Sequence, residues 1–132
     1  MITILGTTVV DRVFYLPSKL NPGGKQAAQE QREEIGGNAF NVWRTALALG
    51  GSCRLITVVG KDSEGDSVAR ACSIGKENVL LRRDKGLTVT STVIVGDGDR
   101  TCISSPHATR VEGVSAKDVD EVTLGEVRRR LE

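Results

Sequence analysis

The stretch EEIGGNAFNVWRTALALGG, residues 33–51, decides the fold. Ala39, Val42, Trp43, Ala46 and Leu49 recur at steps of three and four, the period of an amphipathic helix with those residues on its core face. Gly50 and Gly51 supply the stop. Ahead of the helix stand Gly36 and Gly37, with Asn38 and Asn41 beside them. Two readings of that entrance stand together. Either the glycines make only a tight turn that Asn38 caps, or they let backbone and amides approach a ligand.

Working outward, residues 2–10, ITILGTTVV, are β-branched and read as a buried strand that stays extended to Pro17. Residues 18–35 read as a polar connector. After the helix, SCRLITVVG is a second buried strand, and KDSEGDSVARACSIG a short helix capped by Asp62 or Ser63. NVLLRR reads as a weak third strand. GLTVTSTVIV and RTCIS then flank a four-residue hairpin loop, GDGD at 96–99. A polar helix with sparse valines (Val119, Val122, Val127) is expected over 114–132. Strand and helix alternate before the hairpin, which implies an α/β domain around a partly parallel sheet.

Composition narrows the function. The chain has 132 residues, with 39% apolar and 27% charged, as in a globular protein able to bury roughly 65–70% of its unfolded surface. No apolar run approaches the ~20 residues of a membrane helix, and MITILGTTVVD lacks a basic leader, so no membrane partner is expected. Eighteen Lys and Arg against seventeen Asp and Glu give a net charge of +1, and aromatics make up only 3%. Neither a phosphate-binding charge cluster nor a base-stacking platform follows, so no nucleic-acid partner is expected. Cys53, Cys72 and Cys102 are odd in number and unpaired by spacing, which points to a reducing cytoplasm. Cys53 and Cys102 lie in apolar runs and are expected in the core. His107, the single histidine, has no neighbouring ligand set, and no metal site is expected in this chain.

Phosphate loops of the usual kinds are absent. There is no G-x-x-x-x-G-K-[ST], and LGTTVVD carries one glycine where a dinucleotide fingerprint needs three. What remains suits a neutral, hydroxyl-rich ligand. Asn38 and Asn41 both donate and accept hydrogen bonds. Asp11, near the carboxyl end of the first strand, can accept two neighbouring hydroxyl protons. A sugar or another polyol is the ligand this chemistry suggests.

From Asp11 to about Thr101 the chain resembles the N-terminal half of the PfkB carbohydrate kinases, the ribokinase-like family. The resemblance rests on Gly36, Gly37, Asn41, Gly50 and Gly60, on the G-x-D-x-x-G turn at Gly60, Asp62 and Gly65, and on the hairpin TVTSTVIVGDGDRT. It implies an α/β ribokinase-like fold with a partly parallel sheet, flanking helices and a small β lid drawn from about 12–35 and 78–87. By the resemblance Asp11, Gly36, Gly37, Asn38 and Asn41 bind a sugar, and Thr92 adds a contact from the hairpin. The family favours a small residue where this chain has Trp43, and its ribokinases carry lysine at the place of Asn38.

The family's catalytic aspartate belongs to a C-terminal D-T-x-G-A-G-D motif, and nothing over 104–132 resembles it. The expectation is therefore a truncated domain, 1–132, whose C-terminal nucleotide-binding part is absent. No catalytic residue falls in this chain, and it is expected to be inactive alone. The complete enzyme would be an ATP-dependent phosphotransferase to a sugar hydroxyl, using ATP and Mg2+. Its expected partners are a small-molecule sugar and either a second copy through lid strands or a complementing C-terminal half. The alternative is a stand-alone, non-catalytic sugar- or protein-binding module.

Overall fold

The computed structural model describes residues 1–106; the expected C-terminal helix and His107 lie outside the described residues. Among the described residues, seven strands form two sheets. β1 (Ile2–Leu5), β4 (Cys53–Gly60) and β5 (Val79–Asp84) make a parallel sheet in the order β1-β4-β5. β2 (Val9–Tyr15), β3 (Glu30–Gly36), β6 (Thr90–Gly96) and β7 (Asp99–Ser104) make a second sheet in the order β3-β2-β6-β7. Helix α1 (Asn38–Ala48) joins β3 to β4, and α2 (Ser63–Ala71) follows β4, running into a short 3-10 segment at Cys72–Asn78.

The first extended run is not one strand. It breaks at Gly6–Thr8, so β1 serves the parallel sheet and β2 the second sheet. The hydroxyls of Thr8 and Thr57, both fully buried, meet at 3.2 Å across this junction and satisfy each other. Residues 30–36, all but the last of which fall in the run read by pattern as connector and placed in the β lid by the resemblance, form β3, because pairing with β2 satisfies the backbone of a sequence with little to bury. Its exposed charges suit an edge strand. Residues 78–87, expected with the lid, instead supply β5, whose pairing partner is β4. The hairpin between β6 and β7 is tighter than expected: Gly96 pairs with Asp99, and Asp97 (φ 54°) and Gly98 (φ 75°) make a two-residue turn with both φ values positive.

β4 is central and reads as a continuous apolar run because both its faces are covered; Leu55, Ile56, Val58 and Val59 are all buried. The core cluster joins Leu55 and Val59 to Val10, Ala39, Phe40, Trp43, Val68, Cys53 and Cys72. The buried face of α1 is thus Ala39, Phe40 and Trp43, whereas Val42 and Leu49 are exposed, so the helix is rotated from the expected face. Cys102 is exposed as well, because every residue of the edge strand β7 is.

Trp43, for all its bulk, is 2% exposed. It finds room at Gly75, where an added Cβ would come within 2.9 Å of indole Cζ2. Its Nε1 is buried with no hydrogen-bond partner among the described residues. Trp43→Phe removes that unpaired donor but also loses packing. The expected net cost is about 1–2 kcal/mol, below the ~3–5 kcal/mol of truncation to alanine, and chemical denaturation followed by circular dichroism checks it.

Candidate functional site

The register of the second sheet decides which side chains share a face. Asp11 on β2 lies opposite Glu34 on β3 and Ser91 on β6, and Ser91 lies opposite Ser104 on β7. Residues paired in this way project to the same side, so the four form one polar row across the sheet. Thr92 pairs with Arg12 and projects to the other side. There it lines, with Phe14 and Ile94, a separate cavity of about 540 Å³. The structure therefore does not bring Thr92 to Asp11; Ser91 takes that place.

The entrance to α1 meets the Asp11 face. A Cβ on Gly36 would come 2.5 Å from Asp11 Oδ2, so glycine at this position is what admits the carboxylate. Asn41 and Arg44, both exposed, follow on α1 one turn apart. Asp11, Glu34, Ile35, Gly36, Asn41 and Arg44 line one cavity of about 600 Å³. Gly37 and Asn38 open instead on a neighbouring cavity of about 590 Å³, bounded by Ile4, Leu5 and Thr7 beside β1. Of the expected site, Asp11, Gly36 and Asn41 are thus together, and Gly37 and Asn38 adjoin them.

Gly37 has a different task. It is the N-cap of α1, with φ 90° and no side-chain cap, and a Cβ there would strike the backbone of Thr7 and Thr8. Asn38 is consequently the first helical residue, exposed, and not the cap. At α2 the cap is Asp62, whose carboxylate accepts from Gly65 N–H.

Asp11 is partly buried, and among the described residues its carboxylate has no hydrogen-bond partner. Burial first, and then the charge of Glu34, push its pKa above the usual carboxylate value of 3.8. A half-buried carboxylate with open acceptors, left beside a like charge, is costly for the fold and suited to a ligand with hydroxyl donors. Glu34, Ser91 and Arg44 were not singled out in the sequence. The two-residue step back from Gly36 along β3 and the i, i+3 step from Asn41 along α1 were the available signals for the first and last. Among the described residues, no three His, Cys, Asp or Glu side chains gather as a metal site. No helix among them is long and apolar enough to cross a membrane.

A parallel sheet flanked by helices and carrying a small mixed sheet at the strand ends is the ribokinase-like fold, and solved structures share it. Ribokinase from Thermotoga maritima is 25% identical (TM-score 0.66), over 81% of this chain and 36% of that one. A putative ribokinase from Agrobacterium tumefaciens is 19% identical (TM-score 0.73), over 86% and 38%. Phosphofructokinase-2 from Escherichia coli, solved in complex with fructose-6-phosphate, is 24% identical (TM-score 0.70), over 81% and 36%. This chain thus spans between 36% and 38% of the length of these structures. A comparison with curated proteins returns no match. The sequence matches the pfkB family of carbohydrate kinases over residues 1–127, and the chain belongs to that family.

Proposed function

We propose that this chain is the sugar-binding portion of an ATP-dependent carbohydrate kinase that transfers a phosphoryl group to a sugar hydroxyl. The observation that carries the reading is the unpartnered Asp11 carboxylate, seated against Gly36 in the cavity that Asn41 shares. Asp11 accepts hydrogen bonds from two sugar hydroxyls, and the Asn41 amide donates to and accepts from others. Ser91 extends the polar row that the sugar lies against. The four-stranded sheet covers the ligand as a lid, holding the reacting hydroxyl in position and excluding water.

ATP and Mg2+ belong to the complete enzyme, with ATP supplying the phosphoryl group. The reading places the catalytic base and the magnesium site in the C-terminal part of the family's domain, where the resemblance puts its D-T-x-G-A-G-D motif, and expects no turnover from this chain alone. The sugar is the small-molecule partner, and a complementing C-terminal half or a second copy through the lid strands is the protein partner. Cys53, Cys72 and Cys102 are all free thiols, in keeping with a reducing cytoplasm.

Calorimetric titration with a panel of aldoses, ketoses and their phosphate esters tests the reading. Asp11→Asn removes two charge-assisted acceptors and should weaken binding by about 100-fold, with Asn41→Ala about 10-fold weaker. Unchanged affinity in both variants would remove the pocket from the reading. The same Asp11→Asn change should raise the melting temperature near neutral pH. Because Asp11 has a raised folded pKa, the native state holds the proton more tightly than the unfolded one. Ionisation therefore costs stability as pH rises through that folded value, and the gain from asparagine should shrink as pH falls toward 3.8.

A further inference from the structure

Arg44 is the cationic side chain of the Asp11 cavity, and it is not spent on the carboxylates there. Asp11, Glu34 and Arg44 all line the cavity, yet no ion pair joins Arg44 to either acid or to any other described residue. Its guanidinium instead lies over the Phe40 ring, 5.8 Å from the centroid. Phe40 is buried at 3% exposure, so the platform under the guanidinium is fixed. That contact uses none of the N–H donors in an ion pair or hydrogen bond with a described residue, so the guanidinium keeps the donors that grip phosphate or carboxylate in two parallel hydrogen bonds.

The placement also orders a ligand. Asn41 and Arg44 stand one turn apart on one face of α1, a rise of about 4.5 Å, while Asp11 and Glu34 approach from β2 and β3. A sugar whose hydroxyls meet Asp11 and Asn41 can extend a substituent along the helix to Arg44. We propose that Arg44 is a specificity-determining residue that holds an anionic substituent, a phosphate monoester or a carboxylate, carried by the sugar bound at Asp11. This rests on the sugar-binding reading and narrows its substrate class to anionic sugars.

Titration of the 132-residue chain, and of its Arg44→Gln and Arg44→Lys variants, decides it. The probes are D-fructose 6-phosphate against D-fructose, and D-gluconate against D-glucitol. The wild-type chain should bind one anionic member at least about 10-fold tighter than its neutral counterpart, as charge-assisted hydrogen bonds imply. The pair that shows the preference identifies the anion as phosphate or carboxylate. In Arg44→Gln the ratio should fall to about one, and Arg44→Lys, which keeps the charge without the fork, should recover part of it. High salt should compress the wild-type ratio. Equal affinities within both pairs, or a preference that survives Arg44→Gln, overturn the role of Arg44 while leaving Asp11-dependent sugar binding in place. Failure of all four probes to bind, or binding insensitive to Asp11→Asn, overturns both readings.

Discussion

Gly37→Ala is expected to destabilise the chain by about 3–5 kcal/mol, a large share of the ~5–15 kcal/mol that holds a typical domain together. Two costs add. At φ 90° and ψ 147° the backbone lies where side chains are strained. The new Cβ would also sit 2.5 Å from Thr7 O, 3.1 Å from Thr8 Cα and 3.2 Å from Val9 N. These are backbone atoms of the bend that separates β1 from β2, so nothing can rotate away. The single tryptophan, Trp43, is buried on the helix that Gly37 caps, and its fluorescence reports unfolding in urea. A midpoint equal to wild type would show that the glycine is not required there. Gly36→Ala is the contrast. Gly36 is not among the positive-φ glycines, and its Cβ would meet only the Asp11 side chain, which can turn aside. That variant should fold close to normally and lose sugar affinity. One glycine serves the fold and its neighbour serves the site.

Asp62→Ala should cost about 2–4 kcal/mol, and the cost should depend on pH. The Asp62 carboxylate accepts from Gly65 N–H at 2.8 Å, capping α2, and from Thr88 N–H at 2.8 Å and Thr88 Oγ1–H at 2.6 Å. Thr88 Oγ1 in turn accepts from Gly60 N–H at 2.8 Å. One side chain thus ties the end of β4, the start of α2 and the lead into β6. Burial alone would push the Asp62 pKa up, but the bonds from Thr88 and Gly65 outweigh it and hold the pKa below 3.8. The folded state therefore binds the proton less tightly than the unfolded one. The stabilisation is complete above pH 3.8 and is lost as pH falls through the lower folded value. The stability difference between wild type and Asp62→Ala should accordingly be constant from neutral pH to about 4 and narrow below it. A difference that does not change with acid would mean that the ionised carboxylate is not what holds the clasp.

The two substitutions mark what was legible. The GG pair and the G-x-D-x-x-G turn stand out in the sequence, but their division of labour does not. Sequence patterning distinguishes glycine from other residues; it does not show whether Thr7 backbone or the Asp11 carboxylate lies opposite. In the same way the alternation in TVTSTVIV marks a strand, while the choice between Ser91 and Thr92 as the neighbour of Asp11 rests on its register with β2. A slip of one residue would exchange them.

By itself the sequence determined the features set by short-range physics. The 3.6-residue period made α1 a helix, the β-branched run made β4 a buried strand, and Asp62 ahead of α2 made a cap. Together these dictate an α/β domain with a glycine-rich helix entrance. Only the tertiary structure decided the break of residues 2–15 into two strands and the recruitment of the charged segment 30–36 as β3. It also decided the rotation of α1 and the meeting of Asp11 with Glu34, Asn41 and Arg44. The physical reason is that sheet membership and register are long-range pairings. They are fixed by what the distant partner strand buries and hydrogen-bonds, and no local propensity encodes that choice.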